Sequence, residues 1–469
     1  MTDPIATLQD RFQQMKQAHL ADPNPDYATR KDRLNRLEAT LLKFSDQLMA
    51  AMTQDFSHRS PSEAGTFDVT IPLGDIRMNR RKLRSWMRPR RYHMPKHLLP
   101  ARGRVLPQPK GIVGVIAPWN FPVYLAIGPL AAALAAGNRV MVKPSELTPR
   151  TSEVIKQMIE EVFEPNEVAV FTGGAEVAGA FSELPFGHML FTGSTQVGRL
   201  VAQAAAKNLT PVTLELGGKS PAIVGEHADL SYTAKRIAFG KTANGGQVCV
   251  SPDYVLVPRA KMHEFATEVE QVLKSFFPDV ANTVDYTAIV SDRHQQRLQG
   301  MIKEAEDRGT KVVRIGDTRG ANTRKEAPAL LIDPPLDIQA MQEEIFGPIL
   351  PIIPYDTVEE AMEFVAQRSA PLALYIFTDK HAERDAWLNK SLSGGVCVNE
   401  TSFHVVADSM PFGGVGDSGM GSYHGKAGFD TFSHLKSVFY QPKLNASFLF
   451  NPPVRHYQHT VGKILRKII

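Results

Sequence analysis

Cysteine is nearly absent from this chain, which has only two among its 469 residues, Cys249 and Cys397. Two cysteines cannot build a disulfide framework or a metal site held by several thiolates. Such scarcity is typical of a reducing compartment. We therefore expect neither a structural disulfide nor a bound metal ion.

An excess of one charge is also lacking, since 53 basic residues face 49 acidic ones and the formal net charge is +4. Over a surface of this size, that balance gives no field that would indicate nucleic acid as a partner. The 43% of hydrophobic residues supply a large core. Length divided by roughly 150 residues suggests about three domain-sized units, and disordered and fibrous classes are excluded.

A secretion signal is not evident, because Met1-Thr2-Asp3-Pro4 leads into charged residues and not into a basic segment followed by an apolar core. We therefore expect a cytoplasmic protein. One uncharged stretch, Gly111 to Asn138, is as long as a membrane span. Because Pro118 and Pro122 interrupt it, the pattern predicts a buried strand over 111–117, a functional turn and a packed helix over about 123–136.

Helical and strand-like segments alternate along most of the chain. The periodicity over 5–58 and 75–88 predicts peripheral helices. From residue 111 onward, short apolar runs separated by helical segments predict βαβ units and a parallel sheet. The boundary between two such α/β units falls near Leu216. In the second unit the strand candidates are 253–257, 311–314, 349–353, 373–377 and 395–399.

Two motifs have the context of a nucleotide site. Phe191-Thr192-Gly193-Ser194-Thr195-Gln196-Val197-Gly198 follows a predicted strand and opens an Ala-rich helix, whose free N–H groups favour a pyrophosphate. It departs from G-x-G-x-x-G, so a structural glycine turn stays open. Lys143-Pro144-Ser145-Glu146 follows another strand end, where Lys143 and Glu146 can bind ribose hydroxyls or form a surface ion pair of little consequence.

Four further positions are candidates for chemistry. Cys249 follows a glycine pair whose amides can face an oxyanion, although a lone cysteine is more often a small buried hydrophobe. Cys397, in an apolar strand, has that inert interpretation. Glu215 ends an apolar run, so burial can raise its pKa for general base work, or it can simply bind the next turn. Glu344 and Phe346 either line a pocket or form an ordinary helix end before proline.

Taken together, these stretches resemble the aldehyde dehydrogenase superfamily over nearly the whole chain. The separation of 34 residues between Glu215 and Cys249 also matches the family arrangement. The motifs that occur in the family's order are Pro118-Trp119-Asn120-Phe121-Pro122, Lys143-Pro144-Ser145-Glu146, the 191–198 turn, Glu215-Leu216-Gly217-Gly218-Lys219, Gly246-Gln247-Val248-Cys249, Glu344-Ile345-Phe346-Gly347-Pro348 and Pro411-Phe412-Gly413-Gly414.

The resemblance implies an α/β fold with two Rossmann-like parallel-sheet domains and a small oligomerisation segment. It implies an NAD-binding domain over 1–91 and 109–216 and a catalytic domain over 217–425. The segments 92–108 and 426–469 would then bridge subunits. The reactive cleft would lie between the first two domains.

The resemblance also implies a mechanism and site residues. Cys249 would attack the aldehyde, and the side chain of Asn120 and the backbone N–H of Cys249 would hold the oxyanion of the thiohemiacetal. After hydride transfer, Glu215 would activate water to hydrolyse the thioester. The implied cofactor contacts are Lys143 and Glu146 on the adenosine ribose, Gly193, Ser194 and Gly198 in the pyrophosphate turn, and Glu344 and Phe346 beside the nicotinamide.

Narrower features resemble the class-three branch, which is typically dimeric and handles aromatic and long aliphatic aldehydes. Asn399-Glu400-Thr401 and Asp417 are similar to bacterial coniferyl aldehyde dehydrogenases. A fatty aldehyde is the alternative substrate. We expect NAD, because the charge of Glu146 repels a 2′-phosphate, although related enzymes with this stretch also use NADP.

Other function classes stay open. A cysteine esterase could use Cys249 and Glu215 without redox chemistry. The basic stretch from Arg77 to Arg91 and the basic, amphipathic tail 461–469 could contact nucleic acid or a membrane surface. A solvated helix face and a docked or frayed chain end explain these two features more simply. We expect no nucleic-acid partner and no stable membrane anchor.

Overall fold

The structure is a computed structural model that describes residues 4–318 and 322–445, together with 460, 462, 463 and 466. Its strands are β1 (Arg90–Tyr92), β2 (Arg102–Pro109), β3 (Ile112–Ile116), β4 (Arg139–Lys143), β5 (Val168–Val170), β6 (His188–Thr192), β7 (Val212–Glu215), β8 (Pro221–Val224), β9 (Tyr254–Pro258), β10 (Lys311–Arg314), β11 (Ala329–Ile332), β12 (Ile349–Tyr355), β13 (Ala373–Phe377), β14 (Gly395–Val398), β15 (Gly419–Met420) and β16 (Ser433–Tyr440).

The α-helices alternate with these strands over most of the chain. They are α1 (Pro4–Ala21), α2 (Tyr27–Asp55), α3 (Pro61–Glu63), α4 (Ile71–Trp86), α5 (Tyr124–Ala135), α6 (Pro149–Val162), α7 (Ala175–Ser182), α8 (Thr195–Ala206), α9 (Leu230–Thr242), α10 (Met262–Phe276), α11 (Asp292–Asp307), α12 (Gln339–Gln342), α13 (Val358–Ala366), α14 (His381–Lys390) and α15 (Gly425–Thr431). A π-helical segment, Ala64–Thr70, joins α3 to α4.

The first sheet has the strand order β15-β7-β6-β3-β4-β5 and is parallel apart from β15. Helices cover it, and its strands β3, β4, β5 and β6 are buried along their whole length, as a parallel sheet requires. The predicted boundary at 216 separates β7 from the second sheet. However, Gly419–Met420, which the predicted ranges give to the catalytic domain, pairs with β7 of the first sheet.

The second sheet has the order β10-β11-β12-β9-β8-β13-β14 and confirms the second α/β unit. The predicted strands at 253–257, 349–353, 373–377 and 395–399 are present to within two residues. The strand at 311–314 is also present, but it is antiparallel to β11 at the sheet edge. The sequence analysis missed β11, the strand that follows it in the chain.

A third, antiparallel sheet joins two segments far apart in sequence. β2 lies between β1 and β16, and β16 pairs with β2 along its whole length, from Ser433 to Tyr440. β16 and most of β2 lie in the segments that the resemblance assigns to bridging, 92–108 and 426–469, whereas Arg90 and Arg91 of β1 fall in the range given to the NAD-binding domain. Pattern did not predict these strands, because Pro107 and Pro109 and several arginines weaken the strand signal of β2.

The uncharged stretch at 111–138 folds as predicted into a strand, a turn and a helix. β3 and α5 are buried at every position, and Pro129 lies inside α5. The stretch is therefore the centre of a protein core. Among the helices of the described residues, none is both long enough and apolar enough to cross a bilayer.

A buried arginine closes the end of α5. Arg30, on α2, donates from Nη1 to the carbonyl oxygens of Ala135 and Ala136 at 3.2 and 2.8 Å. A cation at the carboxyl end of a helix also complements the helix dipole. Gly137 has a φ of 91°, and a Cβ there would lie 2.5 Å from Arg30 Cζ. The helix end therefore requires both residues.

We predict that Gly137→Ala destabilises the protein. A side chain at this positive φ alone costs roughly 1–3 kcal/mol, and the total should be larger because Arg30 must also move. The matched control is Gly300→Ala in α11, where a Cβ would meet nothing within 4 Å. That change should raise stability by about 0.5–1 kcal/mol. Thermal unfolding midpoints of both variants check the prediction, and equal midpoints would contradict it.

Candidate active site

A cavity of about 750 Å³ lies between the two α/β units, at the carboxyl ends of β3, β4, β6 and β7. This is the edge at which open parallel sheets bind ligands. The predicted site residues that line it are Asn120, Lys143, Glu146, Gly193, Ser194, Glu215, Cys249, Glu344 and Phe346. The structure thus brings nine predicted residues from distant parts of the sequence to one cavity.

Gly198 is the exception. It is buried in the first turns of α8 and does not line the cavity. A Cβ there would lie 2.6 Å from Leu216 Cδ2, so the glycine lets α8 pack closely on the sheet. Its predicted contact with the pyrophosphate stays a prediction.

At one end of the cavity, the start of α8 faces Lys143. Ser194 caps α8 by accepting a hydrogen bond from the N–H of Val197 at 3.4 Å. Lys143 is buried and donates to Glu146 Oε2 at 2.7 Å, whereas Glu146 is half exposed. Burial and the bond from Lys143 act on Glu146 in opposite directions, and its pKa is lowered overall. A buried cation, a carboxylate and a free helix start therefore share one wall.

The segment before Cys249 has an unusual backbone. Asn244, Gly245 and Gly246 all have positive φ, at 52°, 63° and 77°. A Cβ on Gly246 would lie 2.3 Å from the carbonyl oxygen of Gly347. The glycine pair seen in the sequence is thus required by conformation and by close approach to a second loop.

Amide hydrogen bonds fix Asn120 beside this segment. Asn120 Nδ2 donates to the carbonyl oxygen of Gln247 at 3.1 Å, and Asn244 Nδ2 donates to the carbonyl oxygen of Asn120 at 3.0 Å. Since a side-chain amide has two N–H groups, Asn120 keeps one for another acceptor. The bonds join the turn after β3 to the cysteine loop of the other unit.

A buried ion pair also fixes the turn that carries Asn120. Arg59 donates to Asp68 Oδ2 and to the carbonyl oxygen of Asn120, both at 2.7 Å, and both charged side chains are fully buried. Asp68 Oδ1 accepts from the N–H groups of Val123 and Tyr124, at 3.1 and 3.2 Å. The pair therefore holds both ends of the turn that presents Asn120.

Cys249 has a half-buried side chain that lines the cavity. Burial raises the pKa of its thiol to about 12, and the nearby charges of Glu344 and Glu215 add to the rise. The backbone N–H groups of Cys249 and Val250 point toward the sulfur and act in the opposite direction. In the free protein the thiol is consequently protonated at neutral pH.

Glu215 lies at the end of β7. Both of its carboxylate oxygens are buried without a hydrogen-bond partner among the described residues. Burial raises the pKa of this carboxyl well above its ordinary value. An unpartnered acid with a raised pKa in a ligand cavity, close to a thiol, is a candidate for proton transfer.

Glu344 and Phe346 form the opposite wall. A Cβ on Gly217 would lie 2.0 Å from Glu344 Oε2, so this carboxyl rests on the turn after β7. Burial raises the pKa of Glu344 to about 8, with a further contribution from the charge of Asp253. Phe346, with a φ of 51°, packs edge-to-face on Trp119 at a centroid distance of 5.3 Å.

Neither the second cysteine nor a metal cluster belongs to this site. Cys397 is buried, with its Sγ 3.1 Å from His404 Nδ1, and does not line the cavity. In the part of the chain that the structure describes, no group of three metal-binding side chains could hold an ion.

Comparisons with known proteins agree with this geometry. The model of the "Aldehyde dehydrogenase family" matches residues 6–438. A "Probable coniferyl aldehyde dehydrogenase" of Pseudomonas aeruginosa is 45% identical over 464 residues, which cover 99% of this chain and 96% of that one. The chain belongs to the aldehyde dehydrogenase family. It is therefore an oxidoreductase, and the α/β fold implied by the resemblance is confirmed.

Solved structures of aldehyde dehydrogenases are similar as well. "Substrate bound state of Staphylococcus Aureus AldH" has a TM-score of 0.93 and 37% identity, and the match covers 97% of this chain and 99% of that chain. The Mycobacterium tuberculosis aldehyde dehydrogenase complexed with NAD+ has a TM-score of 0.83 and 27% identity, covering 94% and 91%. The family uses NAD(P) as its cofactor.

The cavity of this aldehyde dehydrogenase fits a dinucleotide. Its volume lies within the range of roughly 300–1,000 Å³ for cofactor sites. The first N–H groups of α8 lack helical acceptors, and the buried hydroxyl of Thr192 has no hydrogen-bond partner among the described residues. These unsatisfied donors suit phosphate oxygens. Lys143 and Glu146 could hold ribose hydroxyls, and Glu344 and Phe346 the nicotinamide end.

Several neighbours of the site had no role assigned from the sequence, although Trp119 belongs to the 118–122 motif. Arg297 donates to the carbonyl oxygen of Ile345 at 2.8 Å and to that of Glu344, and so fixes the backbone of that loop. Trp119 and His294 line the cavity and pack together at 5.1 Å. His294 and Arg297 lie in α11, whose amphipathic pattern is that of an ordinary surface helix. The spacing of Arg59 and Asp68 in the sequence does not indicate an ion pair.

We predict that Asp68→Asn destabilises this aldehyde dehydrogenase by about 3–5 kcal/mol, because it leaves the buried Arg59 charge unpaired. The turn carrying Asn120 should loosen, so kcat should fall as well. The matched control is Asp356→Asn, which breaks the exposed pair with Arg259 and should change stability far less. Unfolding midpoints and kcat of both variants check this, and equal effects would contradict it.

Proposed function

We propose that this chain oxidises aromatic aldehydes of the hydroxycinnamaldehyde type, such as coniferyl aldehyde, to their acids with NAD. The observation that carries the proposal is the convergence of Cys249, Glu215 and the amide of Asn120 on one cavity with the start of α8. The name of the Pseudomonas aeruginosa relative supports the aromatic substrate. The half-exposed carboxylate of Glu146 favours NAD, since it opposes a 2′-phosphate.

The first step is attack by the Cys249 sulfur on the aldehyde carbon. The thiol gives up its proton, to Glu215 or to solvent in the cavity, as the carbon–sulfur bond forms, because the sulfur must act as a thiolate. The uncommitted N–H of Asn120 and the backbone N–H of Cys249 then bind the developing oxyanion. Donors of this kind typically contribute roughly 3–4 kcal/mol each to the transition state.

NAD, when bound, supplies the acceptor for the hydride that leaves the substrate carbon. Cys249 then carries the acyl group as a thioester. Glu215 takes a proton from water, which attacks the thioester and releases the acid. Covalent capture in this way divides one difficult oxidation into two steps.

A cysteine-dependent esterase is the second candidate, since Cys249 and Glu215 suffice for acyl transfer.

We further propose the domain ranges given above, a cytoplasmic location and a homodimer. Exposed apolar side chains on β16, among them Leu435, Phe439 and Tyr440, support a dimer, because this strand pairs only with β2 within the described residues. The tail 461–469 lies largely outside those residues.

We predict that Cys249→Ala abolishes NADH formation with hydroxycinnamaldehydes while NAD still binds with nearly unchanged affinity. The reason is that the nucleophile is lost but the nucleotide wall stays intact. Absorbance at the NADH band and NAD titration calorimetry measure the two effects, with Cys397→Ala as the control. Oxidation by the Cys249 variant, or ester cleavage without any dehydrogenase activity in the wild type, would overturn the proposal.

We predict that Glu215→Gln forms one equivalent of NADH in a burst and then turns over at least about tenfold more slowly, because general base catalysis typically contributes 10²–10⁴-fold. In the wild type, deacylation should accelerate as pH rises through the raised pKa of Glu215, since only the ionised carboxylate accepts a proton. Stopped-flow measurements across pH test both statements. A steady wild-type rate in the variant would argue against Glu215 as the base.

A further inference from the structure

A second group of buried polar side chains lies on the side of Cys249 formed by α4 and α5. It consists of the buried residues Asp75, Tyr124, Tyr423 and His424, with the half-buried Asp408 at its edge, and we call it the acid–tyrosine cluster. Neither the cofactor cavity nor the proposed reaction uses these residues, and none of them lines that cavity.

Asp75 is the unexplained member. Its side chain is on α4 and the residue is only 8% exposed. Within the described residues its carboxyl oxygens form neither a hydrogen bond nor a salt bridge, although its backbone carbonyl accepts from Asn79 Nδ2 at 2.9 Å. A carboxyl with so little exposure and no partner in the protein is costly to ionise, and its oxygens are left for solvent or for a ligand.

Tyr124 lies beside this carboxyl. A Cβ on Gly128 would lie 3.4 Å from Asp75 Oδ2 and 3.4 Å from Tyr124 Cε2. The carboxyl and the tyrosine ring are therefore both next to Gly128, which has no side chain to separate them. The Tyr124 hydroxyl is 3.3 Å from His424 Nε2. On the other side of that ring, His424 Nδ1 is buried without a partner among the described residues.

The cluster is also close to the reacting thiol. The charges of Asp75 and Cys249 both raise the pKa of Tyr124 and of Tyr423, although burial is the larger cause. Asp75 and Cys249 are therefore within electrostatic reach of the same two rings. Burial, with the charge of Asp408, raises the pKa of Asp75 to about 7.

Apolar side chains stand next to the cluster on the loop that carries Asp408. Phe403, Val406 and Met410 are 50%, 37% and 53% exposed. A Cβ on Gly425 would lie only 2.4 Å from the carbonyl oxygen of Asp408. The loop that carries Asp408 therefore packs closely against Gly425, the residue after His424. An apolar rim with a polar end matches a ligand that has an aromatic body and one polar substituent.

We propose that Asp75 and Tyr124 bind the ring hydroxyl of a phenolic aldehyde whose carbonyl group is at Cys249. The hydroxyl donates to the Asp75 carboxyl, and the Tyr124 hydroxyl provides the second hydrogen bond. These two residues thus determine specificity for hydroxylated over unsubstituted aromatic aldehydes. This inference rests on the proposed function, since it assigns the substrate class of the same site.

The test compares 4-hydroxycinnamaldehyde with cinnamaldehyde, which differ only in the ring hydroxyl. A site that hydrogen-bonds a substrate hydroxyl discriminates strongly, because its own polar groups are otherwise left unpaired. We expect Asp75→Asn and Tyr124→Phe each to lower kcat/KM for 4-hydroxycinnamaldehyde by about tenfold or more. Both variants should oxidise cinnamaldehyde within about threefold of the wild-type rate or faster.

The matched control is Asp55→Asn. Asp55 is also buried, but it accepts hydrogen bonds from the N–H and hydroxyl of Thr151 at 2.9 and 2.8 Å. Its loss should reduce stability and leave the ratio of the two kcat/KM values unchanged. Because Tyr124→Phe keeps the ring, it gives a result even where Asp75→Asn folds poorly.

The outcomes separate the two proposals. Equal losses for both aldehydes, or an unchanged ratio in both variants, would overturn the phenol site while aldehyde oxidation stands. Failure of the wild type to reduce NAD with either aldehyde would overturn the proposed function itself. A specificity ratio that falls in both cluster variants and not in the control supports the phenol site.

Discussion

The site depends on the hydrogen bonds that join Asn120 to the cysteine loop. Asn120 and Cys249 belong to different sheets, and the fold alone does not fix their separation to within a few tenths of an ångström. The Asn120 side chain donates to Gln247, and Asn244 donates back to Asn120, at 3.1 and 3.0 Å. Because an oxyanion donor is effective only at hydrogen-bond distance, these bonds convert a cleft between two units into a reaction site.

The same loop also connects the nucleophile to the opposite wall. Gly246 approaches the carbonyl of Gly347 so closely that any side chain there would collide with backbone. Gln247 is itself fixed, since its Nε2 donates to the carbonyl oxygens of Asn244 and Ala288 and its Oε1 accepts from the N–H of Val290. A displacement of either wall would therefore be transmitted to Cys249 through these buried amides and glycines.

Sequence reasoning recovered the parts of this arrangement that depend on local pattern. The β3–turn–α5 unit followed from apolar runs and prolines, and Cys249 stood out because the chain has one other cysteine. Contacts between distant segments were not recoverable in this way. Arg59 and Asp68 give no periodic signal, and β2 and β16 contain residues that weaken strand propensity. Gly198 matched a motif position, and the structure places it against Leu216; only three-dimensional contacts distinguish a glycine that faces a ligand from one that packs on a leucine.

The acids of the site are arranged so that negative charge is costly until the reaction begins. Burial raises the pKa values of Glu215, Glu344 and Cys249, and the carboxylate charges of Glu344 and Glu215 raise that of the thiol further. The donors around the sulfur, by contrast, are neutral amides that are already oriented. Such donors stabilise charge that develops on the substrate oxygen and gain little from a neutral thiol. In the proposed mechanism this arrangement disfavours a free thiolate at rest and lets the sulfur attack when a carbonyl group lies beside Asn120.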